Sequence, residues 1–461
     1  GAIIRVSTGV YSETVDIIGT NLALHGGYDM ACTQHLSYLD TVIHGAGGAA
    51  DLVDISNAVV ELSGLRLFYG GNGIDIRDGG LTSRYCWIHG NCATFGGGVF
   101  ANDSHLVFRD ATRIFDNRAY EHGGGVYFHN SDALFDNSLV RGNAADNCGG
   151  GIAARVGSTV VISNSLLALN VATNYGGGMY ADGSNVLATV YSSGVSSNTA
   201  LLDGGGICWQ SSNLLEITES TISHNTAHDD GGGIALAGTG FVIARDSDVT
   251  HNTSRDEGGG VFATLGFISC TDCTIVHNRA DSDGNMNGSG GGLRIFGEAS
   301  ADLYAFLSPA QLSSNSAANG GAIYVDNAGS VLINAPVDAY HVNGNSATMN
   351  GGALCACQGG YALGMGSVRI GNNTANNGGG MYVSGESILG LMTLGISPPE
   401  LSGNIAYDNG GGMYARDRNS ALVLTGVRVG IPGAGNQAHH PGGYDGGGGG
   451  AAVFANAALQ A

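Results

Sequence analysis

A short phrase recurs through most of this chain: an apolar residue, two variable residues, Asn, a polar turn, then two or three glycines and another apolar residue. It reads Ile222-Ser-His-Asn225 followed by Gly231-Gly-Gly-Ile234, and again Val249-Thr-His-Asn252 followed by Gly258-Gly-Gly-Val261. The first glycine of each run falls at 96, 123, 149, 176, 204, 231, 258, 290, 320, 351, 378 and 410, so successive gaps are 26 to 32 residues. Self-similarity at this period is the signature of stacked repeats, in which one unit cannot bury its apolar side alone. After each glycine run comes apolar-x-apolar, as in Val126-Tyr-Phe128. A polar turn and a second alternating segment follow, such as Leu215-Glu-Ile217, and a third segment ends in the apolar-x-x-Asn phrase. The period is two, not 3.6, so the segments are strands. We therefore expect an all-β chain, a right-handed, single-stranded parallel β-helix (a β-solenoid) of about 15 to 16 coils with three strands each.

The expected organisation is a single domain over 1–461. Residues 1–87 form opening coils, 88–415 the regular array, and 416–461 irregular coils or a cap. Glycine supplies 81 of 461 residues without a Gly-X-Y period, which excludes collagen, and 43% hydrophobic residues suffice for a core. There are 17 arginines, no lysine and 38 acidic residues, a formal charge of -21. Such a surface repels phosphate backbones and anionic membranes, so no nucleic acid partner is expected. No 18-residue apolar run is present, so no transmembrane helix is expected. The chain starts at Gly1 without Met or a signal peptide, which reads as a removed targeting segment or a piece of a longer precursor. Nine scattered cysteines suggest an oxidising compartment, a few disulfides and at least one thiol left over.

The column of asparagines before the glycine turns consists of Asn117, Asn143, Asn170, Asn198, Asn225, Asn252, Asn278, Asn315, Asn345, Asn373 and Asn404. One amide per coil at a fixed position predicts a structural ladder in which each side chain bonds the next. The residue between the two apolar positions after the glycines is often aromatic: Phe100, Tyr127, Tyr180, Phe262, Tyr324, Tyr382, Tyr414 and Phe454. Strand alternation turns these outward, where exposed rings would offer a platform to sugars or a protein partner. Three coils place His directly before the ladder Asn, at His224, His251 and His277, with Asp230 and Asp256 in the following turns. Imidazoles and carboxylates in successive coils suggest Ca²⁺ or a transition metal. Insertions at 279–289, 298–311, 384–400 and 431–447, the last holding His439-His440-Pro441, mark a candidate partner edge.

The opening residues Gly9-Val-Tyr11 with Glu13 and Val15 resemble the start of pectin-lyase-like β-helix proteins, most closely pectin methylesterases. The catalytic motifs of those enzymes and of polygalacturonases do not follow downstream, so the resemblance implies the fold and not the activity. The apolar-x-x-Asn and Gly-Gly-(Ala/Gly)-apolar phrase, over about residues 88 to 415 in twelve copies, resembles the repeats of chlamydial polymorphic membrane proteins. That resemblance implies a secreted or cell-surface adhesin or structural protein without catalytic activity, with a glycan or a host or neighbour-cell surface protein as partner. Two alternatives are a self-assembling extracellular fibre subunit, a homo-oligomer stacking end to end, and a polysaccharide lyase or hydrolase.

Overall fold

A computed structural model describes residues 1–45, 47–306, 310–394, 397–430, 435–439, 449, 451–453 and 458–460. Phe454, His440 and Pro441 lie outside the described residues. The chain is all-β, and its parallel strands stack as a β-solenoid of about 14 turns, where the glycine spacing led to an expectation of 15 to 16. It falls into two compact units, Gly1–Thr221 and Ile222–Ala461.

In the first unit one turn runs Val99–Asn102, His105–Arg109, Arg113–Phe115 and Arg118–Ala119. The next repeats it as Val126–His129, Asp132–Asp136, Leu139–Arg141 and Ala144–Ala145. Each strand pairs in parallel with its counterpart one turn on, for example Val99↔Val126 and Ile114↔Val140. These turns carry four strands where three were expected, whereas the turn Val53–Ser56, Val59–Ser63 and Leu65–Phe68 has three. The reason is local: the residue before the ladder Asn is left-handed (Asp116 φ 53°, Gly142 φ 64°), which breaks the third segment and redirects its last two residues.

Inward positions are apolar and closed off: Val99, Ala101, Phe108 and Ala119 are all fully buried. At about 1.5–3 kcal/mol for each fully buried large side chain, this column carries most of the stabilisation. The glycine run is forced by contact. A Cβ on Gly124 would sit 2.3 Å from the carbonyl oxygen of Ala144, and Gly123 has a φ of 69°. A side chain on Gly124 would shift the backbone of the next turn, and one on Gly123 would strain its left-handed backbone and meet Val126 of its own turn.

The asparagines form an amide ladder. Asn143 Oδ1 accepts from the backbone N–H and the Nδ2–H of Asn117, each at 3.0 Å. Its own Nδ2 donates to the carbonyl of Ile114 at 3.0 Å and to Asn170 Oδ1 at 3.0 Å. Both donors and both lone pairs of a fully buried amide are thus used. A serine column accompanies it: the N–H of Ser138 donates to Ser165 Oγ, and that of Ser165 to Ser193 Oγ, both at 3.0 Å.

The second unit repeats this plan with longer excursions. Its ladder runs from Asn225 through Asn252, Asn278, Asn315, Asn345, Asn373 and Asn404 to Asn436, with Nδ2–Oδ1 distances of 2.9–3.1 Å. Two turns fuse their second and third segments into long strands, Ser330–Asn343 and Tyr361–Gly371. Asn91 and Asn436 belong to the ladder as well, and neither was in the column read from the sequence. Ile88-His-Gly-Asn91 carries the same phrase one turn earlier, whereas the stretch before Asn436 departs from it.

Candidate functional site

The outward residues of the post-glycine strand stack in register. In the first unit the column is Asp75, Phe100, Tyr127, Ala153, Tyr180 and Cys208. In the second it is Ala235, Phe262, Arg294, Tyr324, Cys355, Tyr382 and Tyr414. The rings point outward but do not form the open platform expected. Tyr180, Phe262, Tyr382 and Tyr414 are only 5–9% exposed, and Phe100, Tyr127 and Tyr324 are half-buried. The cause is the glycine turn ahead of each strand, which folds back over it. A Cβ on Gly378 would meet Tyr382 Cβ at 3.0 Å, and one on Gly410 would meet Tyr414 Cβ at 2.9 Å. Residues just before the glycines add rings of their own, with Phe95 5.1 Å from Tyr127 and Tyr175 6.3 Å from Tyr180.

One end of the first column opens into a hollow of about 440 Å³ lined by Asp51, Asp75, Arg77, Phe95, Phe100 and Tyr120. Phe100 stacks on Tyr127 at 5.6 Å and 6°, with the Arg77 guanidinium 5.3 Å from its ring centre. Tyr120 stands 56% exposed. Register also aligns Asp16, Asp54 and Asp75 in one column. Burial, reinforced by the Asp75 charge, pushes the carboxyls of Asp51 and Asp54 up from the ordinary aspartate range. Arg77 offsets part of that charge through a 2.7 Å contact with Asp75. Aromatic edges beside carboxylates and a guanidinium suit a hydroxyl-rich, uncharged ligand: rings take its C–H faces and the polar groups its hydroxyls.

The second unit holds a different cluster. Arg294 is 3% exposed; its Nε donates to Glu257 at 3.0 Å and its terminal nitrogens to Asp326 at 2.8 and 3.2 Å. The guanidinium also lies over the rings of Tyr324 and Phe296, at 4.6 and 5.2 Å. Burial drives Glu257 above its usual value, although Arg294 pulls it back. Cys355, Tyr382 and Tyr414 pack together with Tyr324 and Cys357 against them. Asp326, Cys357, Ser384 and Arg416, each two residues beyond the outward column, escaped the sequence reading. A Cys-x-Cys on a strand was the available signal, because residues two apart share a face.

His224, His251 and His277 do stack, with ring centres 4.9 and 4.8 Å apart and interplanar angles of 3° and 28°. All three occupy the left-handed position before the ladder Asn, at φ 55–57°, a conformation that His tolerates better than most side chains. The metal reading of His224, His251, His277, Asp230 and Asp256 is not supported. Parallel rings present their nitrogens side by side, not converging. Asp230 accepts the Glu257 N–H at 2.9 Å, and Asp256 shares a hydrogen bond with Asp229. Among the described residues no three His, Cys, Asp or Glu side chains gather to hold a metal, Ca²⁺ included. Of the nine cysteines only Cys270 and Cys273 are joined, against the few disulfides expected; the other seven are free thiols. Among the described residues no helix is long and apolar enough to cross a membrane.

The chain matches no family model, no curated protein and no solved structure. The solenoid repeat is therefore what the structure establishes, and the resemblances to pectin-lyase-like and chlamydial repeat proteins remain ones of pattern.

Proposed function

We propose that the protein is a non-catalytic adhesin or structural protein of the cell surface or the extracellular space, holding a neutral glycan in the hollow around Phe100. The hollow itself carries this reading: Phe95, Phe100 and Tyr120 present aromatic surface beside Asp51, Asp75 and Arg77. The ladder-locked turns beneath it supply rigidity, so binding orders few side chains. The acidic surface disfavours anionic polymers and leaves uncharged sugars as the better partner.

A glycan array probed with the full chain tests this. Binding to neutral oligosaccharides is expected, weakened roughly tenfold by Tyr120→Ala or Phe100→Leu at a cost of about 1–2 kcal/mol per lost stacking contact. No binding to any neutral glycan would overturn it. New reducing ends from a bound glycan would favour a hydrolase instead, with the raised carboxyls of Asp51 and Asp54 as its acids.

A further inference from the structure

The second unit carries chemistry that the glycan reading does not use. Leu354–Ala356 lies between Ile323–Asp326 and Met381–Val383. Cys355 and Cys357 project from the same outer face, with their sulfurs 3.4 Å apart. Ser384 Oγ donates to the Cys357 sulfur at 3.3 Å, and the Tyr324 hydroxyl bonds the same atom. Cys355 is 1% exposed, whereas Cys357 keeps part of its surface in solvent. Cys357 is therefore the less buried of the two and its sulfur is surrounded by donors, while Cys355 is enclosed.

We propose that Cys355 and Cys357 are a redox-active dithiol, with Cys357 attacking an organic disulfide and Cys355 resolving the adduct. In the first step the Cys357 thiolate attacks one sulfur of RS–SR. A Cys357–SR bond forms as the RS–SR bond breaks, and RS⁻ leaves to take a proton from water. Cys355 then releases its proton and attacks the Cys357 sulfur, closing the Cys355–Cys357 bond and expelling the second RS⁻. Two electrons pass from the protein to the disulfide, and two RSH result.

The surroundings favour this assignment of roles. Hydrogen bonds from Cys355, then Ser384 and Tyr324, draw the Cys357 thiol down to about 7 against burial and the Asp326 charge. Burial instead raises Cys355, as it raises Cys86 and Cys208, and it lifts Cys148 to about 11. The groups facing the pair are Tyr324 and Asp326 on one side and Tyr382 and Ser384 on the other, with Arg294 over Tyr324. Residues two apart on a strand are separated by about 6.6 Å, near the upper limit for a disulfide of about 6.8 Å. The closed form thus bends the strand and reopens readily, unlike a structural bridge.

The test is reaction of the full chain with dithiobis-nitrobenzoate near pH 7, followed by peptide mass mapping. A fast phase releasing two thionitrobenzoates is expected, leaving the 355–357 peptide lighter by two hydrogens. Cys355→Ser should release one and keep the adduct on Cys357. Tyr324→Phe, which preserves the ring packing, should slow the fast phase up to roughly tenfold near pH 7 and little at alkaline pH. A fast phase that survives Cys357→Ser, or a stable adduct on wild-type Cys357 beside reduced Cys355, would overturn the proposal.

Discussion

The two units build the same turn and decorate it differently. On residues 1–221 charges meet locally and half in water: Arg84 with Asp110 at 2.7 Å, Arg118 with Asp146 at 2.8 Å, and Arg155 with Asp182. On residues 222–461 one arginine, Arg294, is sunk between two acids and two rings, next to a pair of thiols. Since the backbone frame is shared, the contrast resides in what the outward column holds and how deeply the glycine turn covers it. A solenoid can therefore change its surface chemistry turn by turn without altering its core.

The largest effect should be one that the units share. Asn143→Ala and Asn345→Ala each remove a buried amide with four hydrogen bonds and strand its neighbours' polar groups. Each should cost about 3–5 kcal/mol in urea unfolding followed by circular dichroism. Markedly unequal losses would mean that the frames are not equivalent.

The charges should then separate the units. Arg294→Met leaves Asp326, whose side chain is 7% exposed, and Glu257 without their cation, and should cost about 3 kcal/mol. Arg155→Met breaks a contact whose side chains are 30% and 20% exposed, and should cost under about 1 kcal/mol. Thermal melting of the two variants side by side checks the ranking, and equal shifts would erase the distinction.

Acid should expose the smallest difference. In the first unit His89 is stacked between Phe68 and Phe115 at 4.7 and 4.6 Å, and burial, then Arg66, lowers its pKa from 6.5 to about 4. A folded pKa below the unfolded one means that the unfolded chain binds the proton first. This contribution is full above pH 6.5 and lost as pH falls towards 4. His89→Gln should flatten the fall in melting temperature across that window. In the second unit His251 is also lowered, by slight burial and then by the neighbouring imidazoles, but it lies in solvent. His251→Asn keeps a side chain suited to the left-handed backbone and should barely move the same curve.

The repeat, the strand period and the asparagine column were legible because each is set by a constraint that every turn must satisfy, such as the space beside Gly124. What covers the outward face was not. Alternation places Tyr180 and Tyr382 outside the core, yet whether they meet water depends on how the glycine turn just ahead of each strand folds back. The cation expected to organise His224 and its neighbours failed for a related reason: register predicts spacing along a column but not the direction in which ring nitrogens point. Cys357 and Asp326 went unseen because they fall one position past the repeating phrase.

The ladder behaves as a ruler that ignores contour length. Its rungs are 26 to 28 residues apart from Asn91 to Asn198, yet 37 apart between Asn278 and Asn315, and the amide bond there is still 3.1 Å. Added sequence is extruded sideways, as around Asn285, while the next rung re-enters phase. A foreign peptide grafted at that site should thus be displayed without disturbing its neighbours, which makes each turn of this protein an independent address.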